Sequence, residues 1–173
     1  MDTNPESKPS PRLRGKVAVV SGAGTYGGSG IGNGTAAAIL FARKGARVVL
    51  VDVVQEWAEA TRAIIEEEGG EAITATADVT NPEECQRAID AAVERFGGLH
   101  ILHNNVGGGG GRGGVVDATE ETWQRSISIN LMSMINMSRY AIPHMISGGG
   151  GSIINVSSVT ALRPKAGRSS APY

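Results

Sequence analysis

A single cysteine, Cys85, stands in 173 residues. That excludes an internal disulfide framework and fits a reducing compartment, the cytoplasm. Cys85 falls in a helical pattern and reads as a small core residue. A surplus of one charge is also missing, with 16 basic residues against 17 acidic ones. Nothing in that balance points to nucleic acid or to an anionic membrane surface as a partner. No apolar run reaches the roughly twenty residues that span a bilayer, and Met1–Arg14 is polar and proline-containing, unlike a secretory leader. There is no internal repeat beyond an alternation of strand and helix patterns.

Glycine, by contrast, is abundant, at 25 residues, and it clusters in 22–34, 107–114 and 148–151. Clusters lying between periodic segments read as loops of one fold. The first cluster belongs to the stretch that organises the chain, KVAVVSGAGTYGGSGIGNG, from Lys16 to Gly34. An apolar run, Val17–Val20, enters a glycine loop, and the loop enters a long Ala-rich helical pattern. Glycines let a backbone take positive φ and approach a ligand closely. The free N–H groups at the following helix start then suit a phosphate. No Gly-Lys-Ser/Thr follows, so this is not the phosphate loop of nucleoside triphosphatases.

Residues 1–14 are expected to form a disordered arm, and 15–173 one domain. Strands are predicted at Lys16–Ser21, Ala46–Asp52, Ala72–Ala77, Leu99–His103 and Gly151–Val156. Helices are predicted at Ile31–Lys44, Gln55–Glu68, from Asn81 to about Phe96, and from about Asp117 to Ile146. Asn81, Pro82 and Glu84 form a capping-box start, and Asp117 with Glu120 suggests a second. The last helix carries an apolar stripe of Trp123, Ile127, Leu131, Met134 and Ile135, with Pro143 expected to kink or trim its end. Ser157–Tyr173 reads as a loop. Short apolar strands alternating with helices imply a parallel sheet covered on both faces, with ligands at the carboxyl ends of its strands.

The residues to weigh are therefore those that follow each strand. Asp52 lies 20 residues beyond Gly32 at the tip of the second strand. A carboxylate there can accept hydrogen bonds from both ribose hydroxyls of NAD and would repel the 2′-phosphate of NADP. The alternative is that Asp52 caps the following turn. Glu66–Glu68 reads as a solvated face. His100 and His103 sit three apart on a strand, point to opposite faces, and form no chelate; no metal site is expected. His144 reads as a surface or packing residue. Ser157, Ser158 and Tyr173 are the candidates for chemistry, since they follow a strand that ends at the same sheet edge as the glycine loop.

These pieces together resemble the short-chain dehydrogenase/reductase family over residues 15–173. The matching segments are GKVAVVSG with GIG, Asp52, Asp78-Val79, NNVG, the segment around Asn130, and IINVSSV followed by a tyrosine. The resemblance implies a Rossmann-like doubly wound sheet of order 3-2-1-4-5, lacking its final strands. It places Gly22, Gly30, Ile31 and Gly32 around the pyrophosphate, Asp52 at the ribose, Asp78 and Val79 at the adenine, and Asn105 along the cofactor. Asn104 would brace the sheet. Asn130, Ser158 and Tyr173 take the catalytic positions: a helix kink and water chain, a hydrogen bond to the reacting oxygen, and general acid/base. The implied activity is NAD-dependent interconversion of a secondary alcohol and a ketone, with NAD preferred to NADP. The implied partners are a small alcohol or ketone and, for a full-length parent, further copies of itself.

Four departures from the family pattern stand out. Ser21 replaces threonine of the TGxxxGxG motif, and seven residues separate Gly22 from Gly30, more than the motif's spacing. Val106 replaces alanine in NNAG. The interval from Ser158 to Tyr173 is longer than usual. The family's active-site lysine lies one helical turn beyond the tyrosine, and the sequence stops at Tyr173. A tyrosine without that cation titrates near pKa ~10. The expectation is a truncated, poorly active form of a longer gene product, with a non-catalytic dinucleotide-binding fragment as the alternative.

Overall fold

The computed structural model of the chain describes residues 11–25, 30–108 and 116–162. Five strands form one parallel sheet in the order β3-β2-β1-β4-β5, as expected. They are β1 (Val17–Ser21), β2 (Arg47–Asp52), β3 (Glu71–Thr76), β4 (Ile101–Asn104) and β5 (Ser152–Asn155). β1 is central and pairs with both β2 and β4, so that Ser21 lies beside Val51 on one side and Asn104 on the other. The chain reverses direction across the sheet after β3, and the carboxyl ends of β1 and β4 therefore flank the crevice where such sheets bind ligands.

Helices α1 (Asn33–Arg43) and α2 (Gln55–Glu67) cover one face; α3 (Pro82–Phe96) and α5 (Ser133–Ser147) cover the other. Alternate strand residues serve the two layers. Ala18, Val20, Val48 and Leu50 pack with Ala38, Ile39, Ala58 and Ile65. Val17, Val19, Val49 and Val51 pack with Cys85, Ile89, Met137 and Ala141. Burial on both faces explains why β1 and β2 read as unbroken apolar runs rather than alternating ones.

Helix ends follow their local chemistry. Asn81 accepts from the N–H groups of Glu83 and Glu84 at 3.0 and 3.3 Å, and Gly97 ends α3 with φ +79°. Glu84 reaches further back than a capping box requires, accepting from the Asp78 N–H at 2.7 Å. The expected second box is replaced. α4 (Glu120–Ile127) is capped by Thr119, which accepts from the Thr122 N–H at 3.2 Å, because the helix begins too late for Asp117 to cap it. The single long helix expected from there is interrupted by a π-helical turn, Ser128–Met132, and only then continues as α5, with Pro143 inside it. The wider turn sets the facing of α5 apart from that of α4. As a result the expected apolar stripe does not bury as one face: Leu131 and Ile135 are exposed, while Met137, Ala141 and Met145 enter the core.

Two further expectations change. Residues 11–14 are not part of a free arm. Leu13 packs against the α1 layer, and its N–H donates to the Lys44 carbonyl at 2.8 Å. The segment after β5, expected as loop, contains a short helix α6 (Val159–Leu162). Tyr173 and residues 1–10 lie outside the described residues. No described helix is long and apolar enough to cross a membrane.

Candidate functional site: a cradle at the carboxyl end of the sheet

The loop after β1 is held from four sides. Gly22 turns the chain with φ +64°. Its carbonyl accepts from Asn105 Nδ2 at 3.1 Å, and the Asn105 N–H donates to Ser21 Oγ at 3.2 Å. From α1, Thr35 Oγ1 donates toward the carbonyls of Ala23 and Gly24 at 3.2 and 3.0 Å. From α2, Thr61 Oγ1 donates to the Ala23 carbonyl at 2.8 Å. From β2, Asp52 Oδ2 accepts the Gly24 N–H at 2.9 Å, while Oδ1 accepts the Val54 N–H at 3.1 Å. Asp52 therefore does cap the turn after its strand, and it braces the glycine loop as well.

Close approach requires two of the glycines. A Cβ on Gly34 would lie 2.0 Å from the Gly22 carbonyl oxygen, so only glycine lets α1 press against the loop. A Cβ on Gly24 would lie 2.6 Å from both Asp52 Oδ2 and Trp57 Cβ. Gly24 and Gly34 belong to the glycine cluster read from the sequence, whereas Thr35 and Thr61 are site residues that sequence reasoning missed. Their signal was faint: hydroxyls within otherwise ordinary helical runs, whose partners lie up to 38 positions away.

The start of α1 contrasts with that of α3. Gly32 occupies the cap position, supplies no side chain, and no acidic residue stands in the first turn. No side chain among the described residues caps these amide N–H groups, and with the positive dipole end of α1 they suit an external anion. Space around Gly30, which has φ +95°, is open, and Ile31 beside it is exposed. A glycine loop, an uncapped helix start and a buried carboxylate at the next strand tip fit the diphosphate and ribose of a nicotinamide dinucleotide.

Two cavities continue this crevice. One of about 520 Å³ is lined by Val53, Asp78, Val79, Thr80, Arg125 and Ile129, among others. Asp78 Oδ1 accepts from both the N–H and the hydroxyl of Thr80. Beneath it, the Val79 carbonyl accepts from the Cys85 thiol at 3.2 Å. Burial, with the nearby carboxylates of Asp78 and Glu84, pushes that thiol up to about 11, which keeps it protonated and inert. The second cavity, about 140 Å³, brings together Asn33, Asn105, Val106, Asn130, Met134 and Ser157. Val106 lines both.

Asn130 sits buried in the π-helical turn. Its Nδ2 donates to the carbonyls of Ser126 and Gly108 at 3.0 and 2.8 Å, and its Oδ1 accepts the Gly108 N–H at 2.9 Å. One side chain thereby ties the wide helical turn to the loop after β4. Ser133 Oγ donates to the Ile129 carbonyl at 2.5 Å in the same turn. Such side-chain bonds compete with the helical ladder and account for its widening. Asn104 braces the sheet, with Nδ2 donating to Asn155 Oδ1 at 2.8 Å. Ser157 lines the small cavity, while the adjacent Ser158 is half-buried and its carbonyl accepts from the Ala161 N–H. Thus Gly22, Gly30, Ile31, Gly32, Asp52 and Asn105 gather at the loop, Asp78 and Val79 at the large cavity, and Asn130 at the small one.

The histidines lie away from this crevice. His100 Nδ1 accepts the Val17 N–H at 3.0 Å, and burial together with Lys16 and Arg47 holds its pKa below the ordinary value. His103 is buried edge-on to Phe41, its ring centroid 5.9 Å away, and burial lowers its pKa too.

Known proteins resemble this chain in sequence and in fold. A 2,5-dichloro-2,5-cyclohexadiene-1,4-diol dehydrogenase of Sphingobium indicum is 40% identical over 92% of this chain and 61% of its own length. A cyclohexanol dehydrogenase of an Acinetobacter strain is 35% identical over 88% of this chain and 59% of its own. A solved 7α-hydroxysteroid dehydrogenase, complexed with NADH and 7-oxo glycochenodeoxycholic acid, superposes with a TM-score of 0.82 at 32% identity, over 91% of this chain and 59% of its own. The chain thus spans about 60% of the length of these relatives. The short chain dehydrogenase pattern itself matches residues 16–171, and with the loop, the sheet order and the crevice in agreement, the chain belongs to the short-chain dehydrogenase family.

Proposed function

We propose that this chain carries the dinucleotide-binding part of an NAD-dependent oxidoreductase that interconverts a cyclic secondary alcohol and its ketone. The observation that carries this reading is the uncapped start of α1 behind a braced glycine loop, with the Asp52 carboxylate at the tip of the next strand. NAD, when bound, supplies the hydride acceptor. Gly22, Gly30, Ile31 and Gly32 would hold its diphosphate, Asp52 its adenosine ribose and Asp78 and Val79 its adenine, with Asn105 along the cofactor. Asn130 fixes the loop after β4. Ser158 donates a hydrogen bond to the reacting oxygen, and Tyr173 moves its proton. The dehydrogenases named above act on a cyclic diol and on cyclohexanol, which supports a ring alcohol as substrate. The exposed Leu131, Ile135, Ile142 and Ile146 support self-association of the parent protein.

Calorimetric titration with NAD and NADP, followed by turnover assays on cyclohexanol and related ring alcohols, tests this. NAD bound more tightly than NADP is the expected result. Affinity for neither cofactor defeats the reading. Binding without turnover supports the second reading, a non-catalytic dinucleotide-binding fragment, for which the intact loop is sufficient.

A further inference from the structure

We propose that Asp52 is a positioning residue for the glycine loop in addition to a reader of the adenosine ribose, so that deleting its side chain weakens both dinucleotides and does not convert the site to NADP. The inference rests on the proposed placement of the ribose at Asp52. A carboxylate that only selects cofactors needs no bond to the glycine loop. Here Asp52 is 9% exposed, and each oxygen already accepts a backbone N–H, one from Gly24 in the loop and one from Val54 in the turn after β2. Gly24 has no room to retreat, since its Cα lies against Asp52 and Trp57 so closely that a methyl group would collide with both. The Gly24 carbonyl is held by Thr35, and the preceding carbonyl, of Ala23, by Thr35 and Thr61. Asp52 supplies the side-chain acceptor for a loop N–H in this set, whereas Thr35 and Thr61 act as donors. Each carboxylate oxygen retains a second lone pair for a ribose hydroxyl. Ribose recognition and the loop that receives the diphosphate are therefore joined through one side chain.

The pure-reader alternative predicts the opposite sign for NADP. Removing a negative charge relieves repulsion of a 2′-phosphate, and NADP should then gain. If Asp52 holds the loop, Asp52→Ala leaves the Gly24 N–H without its partner, and the diphosphate contacts of both cofactors deteriorate. Asp52→Asn retains one oxygen acceptor without the charge and should lose less NADP affinity than Asp52→Ala.

The experiment measures NAD and NADP affinity by calorimetry, and the Gly24 amide exchange rate by NMR, in the 173-residue chain and in Asp52→Ala, Asp52→Asn and Asp52→Leu. Expected are losses of about tenfold or more for both cofactors in Asp52→Ala, with Gly24 exchange faster by a similar factor, as for one lost hydrogen bond to a charged group. Exchange at Leu102, deep in β4, should stay unchanged. Asp52→Ala binding NADP more tightly than the parent, or exchanging Gly24 at the parent rate, overturns the proposal. Should Asp52→Ala lose its fold, Asp52→Leu, which fills the same space with no acceptor, decides the matter: it must still accelerate Gly24 exchange, and an unchanged rate overturns the proposal. If the parent chain binds neither cofactor, the functional reading fails, while the exchange rates still judge the positioning role.

Discussion

β2 and β5 are parallel strands of one sheet, yet they are built differently. From Val48 to Asp52 every residue of β2 is buried, whereas in β5 only Ile153 is half-buried and Ile154 is 39% exposed. The cause is topological. β2 has strands on both sides and helices on both faces, while β5 has β4 as its strand neighbour among the described residues. On the α1 side, Phe41, Ile101 and Ile154 line an open apolar surface. The half of the fold that carries the glycine loop thus has its own core. The half that carries Ser157 and Ser158 rests on β5, which among the described residues pairs with β4 alone.

The largest effect expected from this contrast is on stability. Leu50→Ala in β2 should cost about 2–5 kcal/mol in urea denaturation, as for a fully buried leucine. Ile154→Ala in β5 should cost less than about 1 kcal/mol, because much of the side chain is already wet. Equal costs would show that β5 is as well packed as β2 and would dissolve the comparison.

Asn130 tests the seam between the two halves. Asn130→Ala removes both partners of the Gly108 peptide and the bond to the Ser126 carbonyl. A destabilisation of about 1–3 kcal/mol is expected from the buried groups left unpaired. Faster amide exchange at Gly108, measured alongside it, should identify the loop after β4 as the segment released. A variant as stable as the parent with unchanged exchange at Gly108 would separate the π-helical turn from the loop.

The smallest effect is a pH dependence placed on β4. His103 is 8% exposed, its Nδ1 has no partner among the described residues, and burial holds its pKa below the ordinary 6.5. In the unfolded chain the imidazole takes up its proton near pH ~6.5, while in the folded chain it does so only at lower pH. Between those points the unfolded state binds more protons, so stability falls as pH drops below ~6.5. His103→Leu should flatten this slope when urea midpoints at pH 7.5 and 5.5 are compared. His100, also shifted down, will keep part of it. An unaltered slope would remove His103 as a contributor.

The strand runs, the helix starts and stops at Asn81, Gly45 and Gly97, and the sheet order 3-2-1-4-5 were legible in the sequence. Each depends on local chemistry or on the alternation of short apolar strands with helices. Gly22, Asp52 and Asn105 stood out once the residues after each strand were compared, whereas Asn130, on a helix, came only from the family resemblance. Three features were not legible. The π-helical turn arises because Asn130 and Ser133 bond to carbonyls of their own helix, and nothing in a helical period announces it. The burial of Met137 in place of Leu131 follows from the facing of α5 after that turn. The packing of Leu13 depends on a surface built from α1 and its loop.

A parallel sheet with a glycine loop at the head of its first helix and a carboxylate at the tip of its second strand is written in the order of residues, because periodicity and backbone freedom are properties of consecutive residues. What that carboxylate touches depends on the folded chain. Asp52 meets Gly24 across 28 positions of chain, and such a contact exists only once β1 and β2 lie side by side and α2 closes over them.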